Sequence, residues 1–360
     1  MEHFATEIET AITAVRVAAV VCRSVQDEIT AQAAEKRDRS PVTVADFASQ
    51  AIICRSLREF FPDDPIIAEE DSSELRESGL LPAVRHEVEA AGVTASKTDI
   101  CDWIDWGAGR KSWNRFWTLD PIDGTKGFLR KGQYAISLAL LVDGNVQVAV
   151  LGCPSLPVAP DGDASPGTSF NQRPSYAAKD VPSAIPGGRP GTDPGGSAGV
   201  VCVAARGQGS RILALDREQD WRSGRTVHVR KTDCISDMRL CESVESGHSS
   251  HDTSAAVASR VGITRKPLRI DSQAKYVLVG RGEADIYLRL PTRPDYQEKI
   301  WDHAGGILFV EEAGGQVSDM TGRAIDFTCG HELSANHGIV VTNGIVHEQV
   351  IAALRAETDP

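Results

Sequence analysis

Residues 134–154 read YAISLALLVDGNVQVAVLGCP, and this stretch narrows the fold more than any other. Two apolar runs meet at Asp143-Gly144, a pair suited to the positive-φ positions of a two-residue hairpin turn. An antiparallel pair of strands is therefore required here. Helical periodicity precedes it. Ile8, Ile12, Val15, Ala19, Cys22, Val25 and Ile29 recur at three- and four-residue spacing, which predicts a helix over 5–30. A second amphipathic helix is predicted over 43–60, ended by Pro62.

The remaining pattern alternates between the two kinds of element. IIAEED is a short apolar strand running into acids, and RFWTLD is a strand that delivers Asp120. Residues 71–114 read as polar, irregular helices and loops. Composition shifts between Pro154 and Pro194, where nine of the eighteen prolines lie among glycines and serines. Such a stretch buries too little apolar surface to order itself, so 157–197 reads as a partly disordered surface insertion. Strands are expected near 199–205 and 225–230. A strand, a loop and a helix ending at Gly262 follow, then a helix, a turn and a strand over 271–291. A helix is expected to begin at Asp302 and end before Gly314-Gly315, followed by a buried strand in HGIVVTNG and a last helix over 345–357. Strands and helices on both sides of the insertion imply two α/β layers, and no internal repeat is visible.

Bulk properties exclude several classes. The formal charge is −12, which argues against binding polymeric nucleic acid, since that needs a basic surface. A small phosphorylated ligand is still admissible, because bound cations reverse the sign locally. No run of about eighteen apolar residues is present to span a membrane. The eight cysteines are scattered, with no C-x-x-C, which disfavours a disulfide framework or zinc ribbon and makes a reducing compartment the default. The N-terminal stretch MEHFATEIETAITAVRV is acidic and amphipathic and resembles neither a signal nor a transit peptide, so the cytoplasm is the default location.

The chemistry concentrates in TLDPIDGTKGFL, residues 118–129. Pro121 fixes its own φ and pushes Asp120 towards an extended conformation. A tight turn would then bring Asp123 round to Asp120. Two carboxylates so close repel unless a proton or cation lies between them, and Mg²⁺ is the commonest hard cation for oxygen ligands. Gly124-Thr125 would open a helix whose free N–H groups suit an anion. A cation site beside a phosphate site is what metal-assisted phosphoryl hydrolysis needs. The bland alternative is a solvated turn with a helix cap. The D-x-x-D spacing departs from the D-x-D-G-T pattern of haloacid-dehalogenase phosphatases and disfavours an aspartyl nucleophile. Glu69 and Glu70 at a strand end, and Asp46 and Asp302 at helix starts, each have ordinary explanations singly. Their joint occurrence with D-P-I-D-G-T is harder to explain that way.

SPVTVADF, AEED, WTLDPIDGTKGFL and KIWDHAGG together resemble the inositol monophosphatase superfamily. VESGHSSHD and DSQAKYVLVGRGEADIYLRLPTRPDYQEKIWDHAGG are most similar to its 3′(2′),5′-bisphosphate nucleotidase branch. The likeness covers roughly 5–70, 114–157 and 225–345. It implies a layered α/β/α/β/α sandwich of the inositol monophosphatase and fructose-1,6-bisphosphatase type. Residues 1–156 would form an α+β domain carrying most metal ligands on a mainly antiparallel sheet. Residues 198–360 would form an α/β domain with a smaller mixed sheet, and the site would lie between the two.

The resemblance also implies roles. Glu69, Asp120, Asp123, Asp302 and the Ile122 carbonyl would hold two or three Mg²⁺. Thr125, partnered by Asp46, would bind the attacking water. The N–H groups of Gly124 and Thr125 would hold the scissile phosphate, and Asp302 would border the substrate. His248 and Ser272 would contact adenosine and ribose, and Lys275 and Arg289 the second phosphate. A zinc pair at His248 and His251 is disfavoured, since no third ligand is near in sequence. The implied reaction is hydrolysis of the 3′-phosphate of adenosine 3′,5′-bisphosphate to AMP, with the sulfated nucleotide as a second substrate and inhibition by Li⁺. Alternatives are an inositol polyphosphate 1-phosphatase or a non-catalytic nucleotide sensor. The expected partner is the small bisphosphate nucleotide alone, with no membrane and a monomeric chain. Likeness to plant-type members raises a plastid or mitochondrial location if a transit segment is removed.

Overall fold

The computed structural model describes residues 3–29, 40–111, 113–158, 199–232, 234–245, 250–293 and 295–358. The Pro/Gly-rich stretch and His248 lie outside them. Two helices open the chain, α1 (Ala5–Glu28) and α2 (Ser40–Phe60). After β1 (Ile66–Ala68), the polar region 71–114 resolves into α3 (Ser72–Ser78), α4 (Leu81–Ala90) and α5 (Lys97–Trp106). The last begins with a reciprocal cap between Ser96 and Asp99, which satisfies backbone donors that a first turn leaves open.

The first sheet has seven strands in sequence order. They are β1, β2 (Arg115–Asp123), β3 (Ala135–Val142), β4 (Asn145–Cys153), β5 (Val200–Ala205), β6 (Gly209–Ala214) and β7 (Arg225–Val227). Only the β1–β2 pairing is parallel. The β3–β4 turn is the hairpin expected from sequence, with Asp143 and Gly144 both at positive φ, 49° and 74°. A single turn, α6 (Thr125–Leu129), separates β2 from β3.

The second sheet is mixed, in the order β11-β12-β10-β8-β9. Its strands are β8 (Leu240–Glu242), β9 (Leu268–Arg269), β10 (Ile286–Arg289), β11 (Gln316–Ser318) and β12 (Ile339–Thr342). Its helices are α7 (His251–Val261), α8 (Ala274–Gly280), α9 (Ala304–Glu312) and α10 (His347–Thr358). The three-residue β11 and the two-residue β9 are too short to show a periodicity, and β6, GSRILA, opens on Gly-Ser and Arg and shows no regular alternation.

Three apolar clusters mark the layers. One joins α1 and α2 to the outer face of the first sheet, through Val15, Phe47, Ile136 and Val150. The second fills the space between the sheets with α8 and α9, through Ala149, Cys202, Leu278, Phe309 and Val341. The third seals α7 and α10 onto the far face of the second sheet, through Val257, Leu288 and Val350. The order is α/β/α/β/α. In the middle layer α8 and α9 approach closely at Gly306, where a Cβ would overlap the Tyr276 ring.

The sheets do not divide where composition shifts. Cys153 pairs with Val200, so the stretch expected to separate two domains instead connects neighbouring strands of one sheet. Residues 200–227 complete that sheet, and the second begins with β8. A long connection between paired strand ends is tolerated because closure entropy grows only slowly with length. No helix of the described residues is long and apolar enough to cross a membrane.

Candidate active site

D-P-I-D is not a tight turn. It is the end of β2, which continues to Asp123. Asp120 pairs with Ser137 and Asp123 with Ala135, so three steps along β2 face two along β3. Residues three apart on a regular strand point to opposite faces. The one extra residue makes a bulge that returns the second aspartate to the side of the first. Asp120 Oδ1 accepts the Ile122 N–H at 3.0 Å, and the Pro121 carbonyl accepts Ser49 Oγ of α2 at 3.1 Å. These bonds tie the bulge to the helix layer. Ile122 is buried between the two carboxylates.

Further acids arrive from three elements. The parallel pairing of β1 with β2 sets Glu69 beside the bulge, with its N–H donating to the Leu119 carbonyl at 3.2 Å. Its carboxyl lies close enough to that of Asp120 for each to act on the other's proton affinity. The backbone of Glu70 is clamped by both ends of the Gln50 amide. Asp46 of α2 lies within electrostatic reach of Glu69, Glu70 and Asp120. Asp302 ends a 3₁₀ turn, Ile300–Asp302, rather than starting a helix. Its oxygen comes within 4.8 Å of those of Asp120 and Asp123.

The far side of the site is held by the turn before α8. Gly124, at φ 93°, backs onto Ser272, itself at φ 68°. A Cβ on Gly124 would lie 2.9 Å from Ser272 Cβ. This contact delivers the Gln273 N–H to an Asp123 oxygen. Ser272 is buried, and its hydroxyl accepts the Ala274 N–H at 3.2 Å. Lys275 is buried too, contrary to the default for a helix lysine, and its charge and that of Arg289 both act on Asp123. Its Nζ lies 5.3 Å from the Tyr287 ring centre. Thr125 stands exposed at the head of α6, which at five residues is one turn only.

The profile of the inositol monophosphatase family matches residues 3–359. The chain belongs to that family. It is 40% identical to the 3′(2′),5′-bisphosphate nucleotidase of Emericella nidulans over 95% of both chains. It is also 40% identical to that of Schizosaccharomyces pombe, over 99% of this chain and 96% of the other. The rice protein of the same name is 36% identical over 98% and 94%. Among solved structures, the inositol monophosphatase of Anabaena superposes with a TM-score of 0.57 at 19% identity, covering 99% of this chain and 97% of that one. That of Thermotoga maritima gives 0.58 at 17%, covering 98% and 97%. The layered fold is therefore the fold of the family.

Inositol monophosphatase family members are metal-dependent phosphatases, and the donor set here fits a hard divalent cation. Every converging group is a carboxylate oxygen, the ligand such ions prefer. Burial pushes the Asp120 carboxyl far above the usual range, and Glu69, Asp123, Asp302 and Asp46 push it further. Burial, then Glu70 and Glu69, raise Asp46 in the same way. Burial and Glu70 raise Glu69, although part of that side chain is open to the pocket. Burial also raises Asp302, opposed by His303 and reinforced by Asp123 and Glu69. Such a cluster is destabilising until protons or a cation neutralise it.

Two organising residues carry no signal of their own in the sequence. Gln273 sits inside DSQAKY, yet nothing local marks it as a hub. Its Oε1 accepts Ser137 Oγ at 3.1 Å and the Gly306 N–H at 3.2 Å, and its Nε2 donates to the Trp301 carbonyl at 2.9 Å. It thus links β3, α8, α9 and the turn bearing Asp302. Gln273→Ala strands buried partners on three of these, β3, α9 and the turn, and a loss of about 3 kcal/mol is expected in urea unfolding. A loss below about 1 kcal/mol would mean that water or neighbours replace the amide. The other is Glu298, a buried acid that the sequence does not distinguish from a solvated one.

Proposed function

We propose that the chain hydrolyses the 3′-phosphate of adenosine 3′,5′-bisphosphate to AMP, and also acts on the sulfated nucleotide. The carrying observation is the convergence of Asp120, Asp123 and Asp302 within 4.8 Å, beside two cations, Lys275 and Arg289, that act on Asp123. An acid cluster flanked by fixed positive charge suits a substrate with one phosphate at the cluster and a second beyond it. The nucleotidase names of the full-length relatives favour the same reading.

Glu69, Asp120, Asp123, Asp302 and the Ile122 carbonyl would hold two or three Mg²⁺. When bound, these ions polarise the phosphoryl oxygens and make a hydroxide available at neutral pH. Thr125 orients the attacking water by its hydroxyl, and Asp46 is the acid placed to take the proton on. The Gly124 and Thr125 N–H groups receive the scissile phosphate. Lys275 and Arg289 grip the remote phosphate, and Ser272, with His248, contacts the nucleoside. The bond that breaks is phosphorus to the 3′-oxygen, and water supplies the oxygen found on the released phosphate.

The test is phosphate release from adenosine 3′,5′-bisphosphate, the sulfated nucleotide and inositol 1,4-bisphosphate, with Mg²⁺ and with EDTA. Turnover of the adenosine compound should exceed that of the inositol compound at least tenfold, by roughly 1.4 kcal/mol of transition-state preference or more, and should vanish in EDTA. Faster turnover of the inositol compound would make the chain a 1-phosphatase. Li⁺ should inhibit by occupying one cation position. Activity indifferent to Li⁺ would put the reacting cluster elsewhere.

A further inference from the structure

Behind the acid cluster runs a second line of buried polar groups that the proposed reaction does not use. Glu298 Oε1 accepts the Arg289 Nε–H at 2.9 Å. Glu298 Oε2 lies 3.1 Å from His303 Nε2, and His303 Nδ1 lies 2.7 Å from the Tyr276 hydroxyl. Both ring nitrogens of His303 therefore have a partner, Nδ1 the Tyr276 hydroxyl and Nε2 the Glu298 carboxylate. Glu298 is only 4% exposed and His303 2%. The line joins the end of β10, the segment before the 3₁₀ turn, the start of α9 and α8.

Glu298, Asp302 and His303 offer atoms within 4.8 Å of one another, which raises a cation site as a competing explanation. The hydrogen bonds argue against it. Both oxygens of Glu298 and both nitrogens of His303 are already engaged, and a metal would have to break that line. An orienting role needs no such change. Arg289 lies within reach of Asp123 and Asp302 as well as Glu298. A free guanidinium on a flexible stem would fold onto those acids. Tyr296 packs against it, with Cζ 5.8 Å from the ring centre. Glu298 takes the Nε–H and so fixes the plane of the planar guanidinium. The Glu298 backbone is fixed in turn, its carbonyl accepting the Leu333 N–H at 2.9 Å.

We propose that Glu298 is a positioning residue that makes the pocket select for a second phosphate: it aims Arg289, and the His303–Tyr276 pair holds Glu298 in place. The inference rests on the bisphosphate reading above. It assigns the preference to a residue that touches no substrate.

The experiment compares adenosine 3′,5′-bisphosphate with 3′-AMP, which carries the same scissile bond and lacks the remote phosphate. The parent should prefer the bisphosphate in kcat/KM. Glu298→Gln should cut that preference about tenfold, through KM for the bisphosphate, with kcat moving less than about twofold. In the Arg289→Ala background, Glu298→Gln should cost no further preference, because it acts through the missing side chain. If Glu298→Gln does not fold, Glu298→Asp, which withdraws the carboxylate by one methylene, is read in the same way. An unchanged preference, equal losses on both substrates, or additive losses in the double variant would overturn the role of Glu298. A parent that does not discriminate between the substrates would instead overturn the bisphosphate reading and take this inference with it.

Discussion

Asp120→Asn is expected to give a folded protein that melts higher than the parent in EDTA and turns substrate over at least roughly a thousandfold more slowly. The two effects have one cause. Asp120 is 1% exposed and ringed by Glu69, Asp123, Asp302 and Asp46, all of which raise its proton affinity. Burying a carboxylate among carboxylates is unfavourable. Asparagine has the same shape and keeps an oxygen to accept the Ile122 N–H, so the bulge survives while the repulsion goes. What is lost is the charge at the point where three acids meet. A variant that melts lower in EDTA would show that Asp120 is stabilising and that the cluster is not under mutual repulsion. A variant that retains a tenth of parental turnover would place the chemistry off this carboxylate.

The long elements were readable because periodicity and turn chemistry agree in them. The α1 pattern from Ile8 to Val25 lies on one buried face, and Asp143-Gly144 takes the turn its residue types demand. The acids could be gathered from the sequence only by resemblance, since Asp46 and Asp302 lie at opposite ends of the chain. Physical reading of D-P-I-D expects the Asp120 and Asp123 carboxylates side by side, as they lie, but by way of a turn where the strand has a bulge. Pro121 restricts its neighbour to extended backbone, and extended backbone with one residue to spare is satisfied by a bulge as well as by a turn. Partners on β3 decide between them, and pairing register is a non-local property. Lys275 and Glu298 show the same limit. A charged residue on an amphipathic segment reads as solvated, and only the packing of Tyr287 over the lysine, and of Arg289 and His303 around the glutamate, makes them interior. Burial opposes the charge of Glu298, but His303 and Arg289 outweigh it and pull its carboxyl down to about 2. No local pattern announces that balance.

The acid cluster also sets the pH dependence of the fold, and Mg²⁺ should reverse it. Burial, then Glu70, push the Glu69 carboxyl from its ordinary 4.5 up to about 7, and Asp46, Asp120 and Asp302 shift in the same direction. A carboxyl raised on folding binds more protons in the native state than in the unfolded chain. Its contribution is complete below the unfolded value and disappears as pH rises through the folded one, so stability falls with pH across the window from about 4.5 to about 7. In EDTA the melting temperature should therefore drop by several degrees between about pH 5.5 and about pH 8.5. A divalent cation takes the place of those protons and binds more tightly as they leave. At a hundredfold excess over its dissociation constant it adds about 2.7 kcal/mol, so melting curves with and without Mg²⁺ should separate as pH rises and nearly coincide at the acid end. The Asp120→Asn variant, with fewer protons to exchange for the ion, should show a smaller separation at about pH 8.5. A melting temperature that climbs with pH in EDTA would remove the repulsion argument. A Mg²⁺ increment of equal size at both pH values would mean the ion binds outside these carboxylates, and the cluster would then have no claim to the chemistry.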